Sequence, residues 1–361
     1  MRVQSASNRR ESGIALIVVM LVVIVLAGLA GAFAYTMKVE MRLARHSNNS
    51  AEMEWLGRSG MELARYVLMM QARIPGANGY EALNQKWAGG RGVTNDLLAG
   101  INLEEVRLGG GVFSVTIKDL ERKFNINSAD EMLLQQALTV VGVDASQFGV
   151  IVDSILDWRD PDNNPRLNGA EDDYYLSLDP PYYCKNGYID DLSELLLVRG
   201  VTPDIYWGPR STNHFISTYQ KMSSRKANDN QGKTYPVGLA DLFNALSAGR
   251  LNVNTASATT LQMIPGIDPN MAREIVQMRA GLDGVDGTED DMPFMSAGQL
   301  GAVPGIPAGL VPSLLRYCDV RSQTFDVQVD VFLDGQKRTY YGVLRRNPRG
   351  GDFILVQFYW R

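Results

Sequence analysis

The chain has 361 residues, enough for two or three domains, with 45% hydrophobic and 21% charged residues and a formal net charge of −5. This mildly acidic balance argues against a nucleic-acid-binding surface and favours cations. Two histidines leave almost no material for a histidine-based metal centre or a serine–histidine triad, and no phosphate loop or dinucleotide fingerprint occurs. The sequence therefore predicts a protein that is not an enzyme. Cys184 and Cys318 could pair in an oxidising compartment or stay free.

The N-terminal region contains an uncharged apolar stretch, Ile14 to Tyr35, directly after a short basic leader that ends in Gly13. A helix over this stretch is roughly 33 Å long, enough to cross a bilayer core of about 30 Å. A secretory signal cleaved after Ala34, a plain membrane anchor and a prepilin-type leader are the three interpretations. The apolar core is too long for a secretory signal. The border between Gly13 and Ile14 resembles the cleavage site of type IV pilin-like proteins, although the glutamate usual at the fifth mature position is replaced by Val18.

Amphipathic sequence follows without a proline until Pro75, so Ile14 to Ala72 is predicted to form one helix. Its second half carries an apolar stripe at helical spacing that needs a sheet or core to pack on: Met53, Leu56, Gly60, Leu63, Val67 and Met70. A weak helix is predicted around Gly79–Trp87. Strand-like alternation then predicts an antiparallel sheet whose first strand lies some 200 residues before the others, from Val112–Asp119, Thr324–Leu333, Gln336–Arg345 and Asp352–Trp360.

The intervening block contains an internal repeat, because Phe124-Asn-Ile-Asn-Ser-Ala129 matches Leu251-Asn-Val-Asn-Thr-Ala256. Matching pairs of short helices joined by apolar-Gly-apolar turns resemble helix-hairpin-helix units. Such units often grip DNA phosphates. However, the segment from Leu251 to Asp291 has two arginines and seven acids, so a protein-contact or architectural role is favoured and no nucleic acid is expected.

Each copy also contains an acidic loop. In the first, oxygen-bearing side chains and a glutamate follow the order of an EF-hand calcium loop, apart from Pro165 where glycine is expected. The predicted calcium ligands are Asp160, Asp162, Asn164, Glu171, Asp172 and Asp173. The second loop repeats the Glu-Asp-Asp triplet and is shorter. Its predicted ligands for a second calcium ion are Asp283, Asp286, Glu289, Asp290 and Asp291. A solvated acidic loop is the alternative for both.

Together these features resemble the protein K family of minor pseudopilins in type II secretion systems. The resemblance rests on the Gly13/Ile14 leader, Val18, the repeated Asn motifs and Gly169–Tyr175. It implies processing by prepilin peptidase between Gly13 and Ile14, and a single-pass inner-membrane protein with a periplasmic C-terminal domain. It also implies a calcium cofactor and a filament-tip position, with two other minor pseudopilins and the major pseudopilin as partners. A DNA-binding protein of a type IV pilus-like uptake system is the alternative, and a calcium-dependent hydrolase lacks any nucleophile set.

The predicted fold class is α+β: a pilin-like long N-terminal helix packed on an antiparallel sheet, with a large all-helical insertion of two helix-hairpin-helix (SAM-like) repeats. The predicted divisions are 1–13 for the prepilin leader, 14–72 for the transmembrane and filament helix, 73–124 for the first pilin-like part, 125–205 for the first repeat with its calcium loop, 206–250 for a linker, 251–319 for the second repeat and 320–361 for the C-terminal strands.

Overall fold

One long helix, α1, runs from Glu11 to Gln71 in the computed structural model, which describes residues 11–76, 79–90, 96–212, 235–248, 250–348 and 351–360. Its N-terminal half exposes nearly every apolar side chain and is long and apolar enough to cross a membrane. The C-terminal half buries one face. The predicted stripe is confirmed, since Met53, Leu56, Gly60 and Val67 are buried and the remaining two members are partly buried.

The sheet against α1 has five antiparallel strands in the order β1-β2-β7-β8-β9. Its strands are β1 Val106–Leu108, β2 Gly111–Asp119, β7 Thr324–Leu333, β8 Gln336–Arg346 and β9 Phe353–Trp360. The predicted pairing of an early strand with three C-terminal strands is therefore confirmed. The added strand β1 is too short to show an alternating pattern. In place of the weak helix predicted around Gly79–Trp87, turns and a short 3-10 helix, Lys86–Ala88, are found.

Two glycines bring α1 close to the sheet. A Cβ added at Gly60 would lie 2.4 Å from Cγ1 of Val329, and one added at Gly57 would lie 2.6 Å from the ring of Tyr340. Because normal carbon–carbon contacts are about 3.5–4.0 Å, neither position has room for a side chain without movement. Packing against the sheet therefore explains glycine in the middle of a helix, where it is otherwise unfavourable.

Between β2 and β7 lies the insertion. Its helices are α3 Glu131–Val141, α4 Phe148–Arg159, α5 Asp172–Tyr175, α6 Pro203–Trp207, α7 Leu239–Leu242, α8 Ala258–Leu261, α9 Pro269–Arg279 and α10 Val311–Tyr317; α2, Asp96–Ala99, precedes the sheet. The prediction of an all-helical insertion was wrong in one respect. Two pairs of two-residue parallel strands occur in it, β3 Phe124–Asn125 with β4 Phe243–Asn244, and β5 Leu251–Asn252 with β6 Cys318–Asp319. The first residues of each Asn motif are extended because they pair with a distant segment.

The repeat extends to equivalent hydrogen bonds. Nδ2 of Asn127 donates to the carbonyl of Ile189 and Oδ1 accepts from its N–H, at 2.9 and 2.8 Å. Asn254 makes the same two bonds with Phe294, also at 2.9 and 2.8 Å. In each copy an arginine that ends the second helix donates to two carbonyls of the motif. The second Asn of the motif thus fastens the chain after the acidic loop to the start of the repeat.

Part of the predicted linker 206–250 packs into the insertion. Residues 213–234 lie outside the described residues. After them, Val237, Leu239, Leu242 and Phe243 are buried in the core of the insertion. These apolar residues follow a polar stretch directly, and their strand partner β3 lies over a hundred residues away, so local sequence did not reveal their burial. Both cysteines are buried and free.

Buried acids occupy the junction of sheet and insertion. The carboxylate of Asp119 accepts hydrogen bonds from the side chains of Asn252 and Ser322, at 3.1 and 2.7 Å. Glu121 accepts from the backbone N–H groups of Ala248 and Thr324, at 2.8 and 2.9 Å. Burial, and then the neighbouring Asp119, raises the pKa of Glu121 to about 8. These bonds join the end of β2 and the turn that follows it to both ends of the second repeat.

Candidate functional site

The first acidic loop connects α4 to α5 and folds back against the last turn of α4. Glu171, at the start of α5, is 3% exposed, and neither of its carboxylate oxygens has a hydrogen-bond partner in the described part of the chain. Oδ1 of Asp160 is likewise buried and unpartnered among those residues. Buried polar groups are almost always satisfied, so these oxygens are the chemically unusual feature of the loop.

Electrostatics show that these carboxylates share one environment. Burial, opposed by the nearby Cys184 thiol and reinforced by the charges of Asp157, Asp160 and Asp162, raises the pKa of Glu171 to about 7. Burial, and then Asp162, raises the pKa of Asp160. Each acid therefore makes ionisation of the next more costly, which is the arrangement that a bound cation relieves.

Asp157 belongs to this group but was missed in the sequence analysis. It is fully buried at the end of α4 and accepts a hydrogen bond from the backbone N–H of Arg166, at 3.1 Å. The guanidinium of Arg166 reaches Asp157 at 3.3 Å and Asp160 at 3.6 Å. The available signal was helical spacing: Asp157 precedes Asp160 by three residues and so shares its side of the last turn.

The other predicted ligands of the first loop are placed less centrally. Oδ1 of Asp162 accepts from the N–H and Nδ2 of Asn164, both at 2.9 Å, which folds the exposed turn. Oδ1 of Asp172 accepts from the backbone N–H of Cys184 at 2.8 Å. Asp173 is exposed on α5. The structure thus leaves Asp160 and Glu171 with buried oxygens that have no hydrogen-bond partner among the described residues, and it uses Asp162, Asn164 and Asp172 to hold the loop.

The donors fit a hard cation by their chemistry. Among the described residues, no three Asp, Glu, His or Cys side chains converge as a metal-ligand group. Calcium, however, takes six to eight oxygens from carboxylates, amides, backbone carbonyls and water in a flexible geometry. Carboxylates of Asp160, Asp162 and Glu171 supply three such groups. The unpartnered oxygens of Glu171 are the observation that supports the fit.

The second acidic loop is built differently. Both oxygens of Asp290 accept hydrogen bonds: Oδ2 from the N–H groups of Leu282 and Asp283 at 2.7 and 3.0 Å, and Oδ1 from the Thr288 hydroxyl at 2.8 Å. Asp291 accepts from the N–H of Gly287 at 2.8 Å.

The remaining predicted ligands of this loop are also engaged or exposed. Asp286 pairs with Arg279, Oδ1 of Asp283 accepts from the N–H of Val285, and Glu289 is exposed. Most of these carboxylates already stabilise the loop itself, so the contacts do not favour the predicted second calcium ion.

The predicted processing site lies at the start of α1. The backbone of Gly13 and Ile14 is helical, and the side chain of Ile14 lies outside the described residues. Val18 is exposed on the same helix, as are the apolar residues around it. The stretch thus presents an apolar surface without acids for lipid or for other helices.

Comparison with known proteins identifies the family. A model described as type II secretion system protein K matches residues 101–208, and a helix-hairpin-helix motif model matches residues 247–314. The type II secretion system protein K of Pseudomonas aeruginosa is 26% identical over 97% of this chain and 93% of its own length. The chain is therefore similar to type II secretion system protein K over nearly its whole length. The resemblance seen in the sequence is thereby confirmed.

Two further comparisons support this similarity. The protein K of Aeromonas hydrophila is 31% identical over 55% of this chain and 62% of its own length. A chain of the GspK-GspI-GspJ complex from enterotoxigenic Escherichia coli has a similar fold, with a TM-score of 0.62 at 18% identity, over 88% of this chain and 99% of that chain. The similar fold includes the insertion as well as the pilin-like helix and sheet, since so much of both chains is covered.

Proposed function

We propose that this chain is a minor pseudopilin of the protein K family that caps the tip of a type II secretion pseudopilus and takes part in protein export across the outer membrane. The observation that carries the proposal is the pairing of the acid-free apolar stretch of α1, Ile14 to Tyr35, with a large insertion on the sheet. The E. coli relative of similar fold was solved in complex with GspI and GspJ. By analogy, two other minor pseudopilins and the major pseudopilin are the partners, and no catalytic role is assigned.

The apolar stretch of α1 needs an apolar environment both before and after the filament assembles. Exposed over its whole length, it needs lipid in the inner membrane before assembly and neighbouring helices in the filament afterwards. A glutamate in such a helix would need a positively charged partner in the subunit above. Val18 removes that need, which suits a subunit with nothing above it. The rest of the chain would lie in the periplasm.

Processing is tested by mass spectrometry of the N-terminus of the protein purified from its native membranes. A mature chain that starts at Ile14 is expected, and a Gly13→Leu variant should keep its leader because prepilin peptidase would not cut it. A start at Tyr35, or an intact Met1 in the unaltered protein, contradicts the proposal.

Tip position is tested by gold labelling of filaments sheared from cells that overproduce the major pseudopilin. One label at one end of each filament is expected, and a labelled major pseudopilin should mark the whole length as a control. Labels of this chain along the filament would show that it is not a cap. The DNA-uptake alternative has no support from the relatives, which are secretion proteins.

We also propose that the first loop binds calcium through Asp160, Asp162 and Glu171, with the other predicted ligands holding the loop in shape. A bound calcium ion supplies the positive charge that the buried carboxylates lack. Arg166 supplies part of it in the structure, but its guanidinium lies 3.6 Å from Asp160 and makes no ion pair with Glu171 among the described residues.

Calcium binding is tested on the full chain in detergent, stripped with chelator and then titrated with calcium while the melting temperature is followed. Calcium at a hundred times its Kd should stabilise the protein by about 2.7 kcal/mol. Glu171→Gln should lose this gain, whereas Glu289→Gln, at the matching exposed position of the second triplet, should keep it. An unchanged melting temperature up to millimolar calcium overturns this proposal without affecting that of the tip position.

A further inference from the structure

The two repeats differ in how they neutralise an equivalent arginine. Arg279 ends α9 and donates from Nη1 to the carbonyls of Val253 and Ala256, at 2.6 and 2.7 Å. Its other edge, Nε and Nη2, makes a two-pronged pair with Asp286 at 2.9 and 2.8 Å. All the hydrogen-bonding directions of this buried guanidinium that face the loop are thus filled from within the chain.

Arg159 is the counterpart at the end of α4. It donates from Nη1 and Nη2 to the carbonyls of Ile126 and Ala129, which are the equivalent motif positions. No carboxylate of the described residues forms an ion pair with it, and Nε has no acceptor among them. Seven residues after Arg279 the chain supplies Asp286, whereas seven residues after Arg159 it supplies a second cation, Arg166. Of the two atoms paired with the acid in the second repeat, Nε is therefore open in the first, whereas Nη2 donates to the carbonyl of Ala129.

A surface cleft of about 410 Å³ lies beside Arg159. Its lining includes Arg159, Arg166, Asn127, Asp160 and Tyr188. The ring of Tyr188 at its rim is 77% exposed. Arg166 is already paired with Asp157 and Asp160, so Arg159 is the cation of the cleft that has no carboxylate within ion-pair distance among the described residues.

We propose that this cleft receives an aspartate or glutamate side chain of a second protein, whose carboxylate accepts a hydrogen bond from the open Nε of Arg159, in the place that Asp286 takes beside Arg279. The internal repeat supports this placement, because equivalent helix ends and equivalent carbonyls hold both guanidinium groups, Arg279 through Nη1 alone and Arg159 through Nη1 and Nη2. A free carboxylate would gain only this one pair. A polypeptide adds contacts with the exposed ring of Tyr188 and with Pro161, which also lines the cleft. The inference does not depend on calcium or on the tip position.

The test is site-specific photo-crosslinking from position 188 in the full chain, in its native cells, with benzoylphenylalanine in place of Tyr188. The expected product joins this position to a segment of another protein that contains an aspartate or glutamate. Replacing that acid by its amide should lower the yield at least tenfold. Arg159→Lys should lower it similarly, because lysine keeps the charge and loses the fork. The matched variant Arg279→Lys should leave the yield unchanged.

Folding is monitored by the melting temperature of each variant. Because Arg159 also ties down two carbonyls, a second variant leaves it intact: Gly187→Leu adds bulk at the lining of the cleft. A Cβ at Gly187 meets only the carbonyl oxygen of Lys185, at 3.7 Å, so this change should be tolerated. It should also abolish the product. The proposal is overturned if no intermolecular product forms, if the product lies within the same chain, or if its yield is independent of the partner's acid.

Discussion

Replacing Gly60 by alanine should separate α1 from the sheet although alanine is the better helix former. Alanine in the middle of a helix gains roughly 0.5–1 kcal/mol over glycine. Against this, its Cβ would meet Cγ1 and Cγ2 of Val329 at 2.4 and 2.8 Å. Both atoms must move by about 1 Å to restore normal contact, and overpacking of a close-packed interior costs typically 1–3 kcal/mol. We therefore expect Gly60→Ala to destabilise the fold by about 1–2 kcal/mol.

A double-mutant cycle tests this cause directly. Val329→Ala alone removes buried methyl groups and should cost about 2 kcal/mol. In the double variant the overlapping atoms are gone, and the Cβ of Val329 would lie at 3.2 Å from the new methyl group. The double variant should therefore be as stable as Val329→Ala or slightly more stable. The expected coupling energy is about 2 kcal/mol, measured by chemical unfolding of the full chain in detergent and followed by circular dichroism.

Additive effects of the two substitutions, within about 0.5 kcal/mol, would refute the reasoning. So would a Gly60→Ala variant that is more stable than the unaltered protein, since helix propensity would then outweigh the contact. Either result would mean that α1 does not pack against Val329 as closely as the structure has it. A shift in the register of α1 along the sheet would be the first explanation to examine.

Three further predictions concern the buried polar groups. The folded protein holds the proton of Glu121 up to a pKa of about 8, above the ordinary value of 4.5, so the free energy of unfolding should fall by a few kcal/mol as the pH rises from about 4.5 to 8. Glu121→Gln should flatten this slope in unfolding measured at several pH values. Asp286→Asn should cost about 2 kcal/mol in thermal unfolding, because it leaves the charge of Arg279 buried beside a neutral amide. Cys184 and Cys318 should react with a thiol reagent only after unfolding, since both are buried and free and burial raises the pKa of Cys184 to about 12. Rapid labelling of the native protein would contradict their burial.

The sequence predicted well those elements that are long enough to show a period. The stripe on α1 repeats through about five turns, and β7 alternates between buried and less buried residues over most of its length. The register of β7 could be read because one face is buried. By contrast, β3 to β6 are two residues each, and their partners lie far away in the chain. A local sequence pattern cannot predict a strand pair that depends on tertiary contact.

Prediction of the candidate site was limited in another way. The order of acids in the first loop could be read from spacing, but spacing does not show which acids are buried. Glu171 and Glu289 begin the same triplet, and only Glu171 is buried without a partner. Asp157 was overlooked because it lies in a helix whose pattern indicates core. Burial depends on which helix the loop folds against, and that information is distributed over the whole insertion.

The contacts of the two acidic loops differ for one physical reason. Each repeat must stabilise a half-buried or buried arginine at the end of its second helix and an acidic loop beside it. In the second repeat the two needs meet, since Asp286 pairs with Arg279 and most of the other acids accept backbone amides. In the first repeat Arg166 stands where the second repeat has Asp286. Nε of Arg159 therefore has no acceptor among the described residues, and neither carboxylate oxygen of Glu171 has a hydrogen-bond partner there. Arg159 and Glu171 form no ion pair in the described structure, so neither group neutralises the other. Under the calcium and cleft proposals, the first repeat takes two external partners, a cation for its carboxylates and a carboxylate for its arginine, whereas the second takes neither. The first repeat would then be the copy through which the insertion binds other molecules.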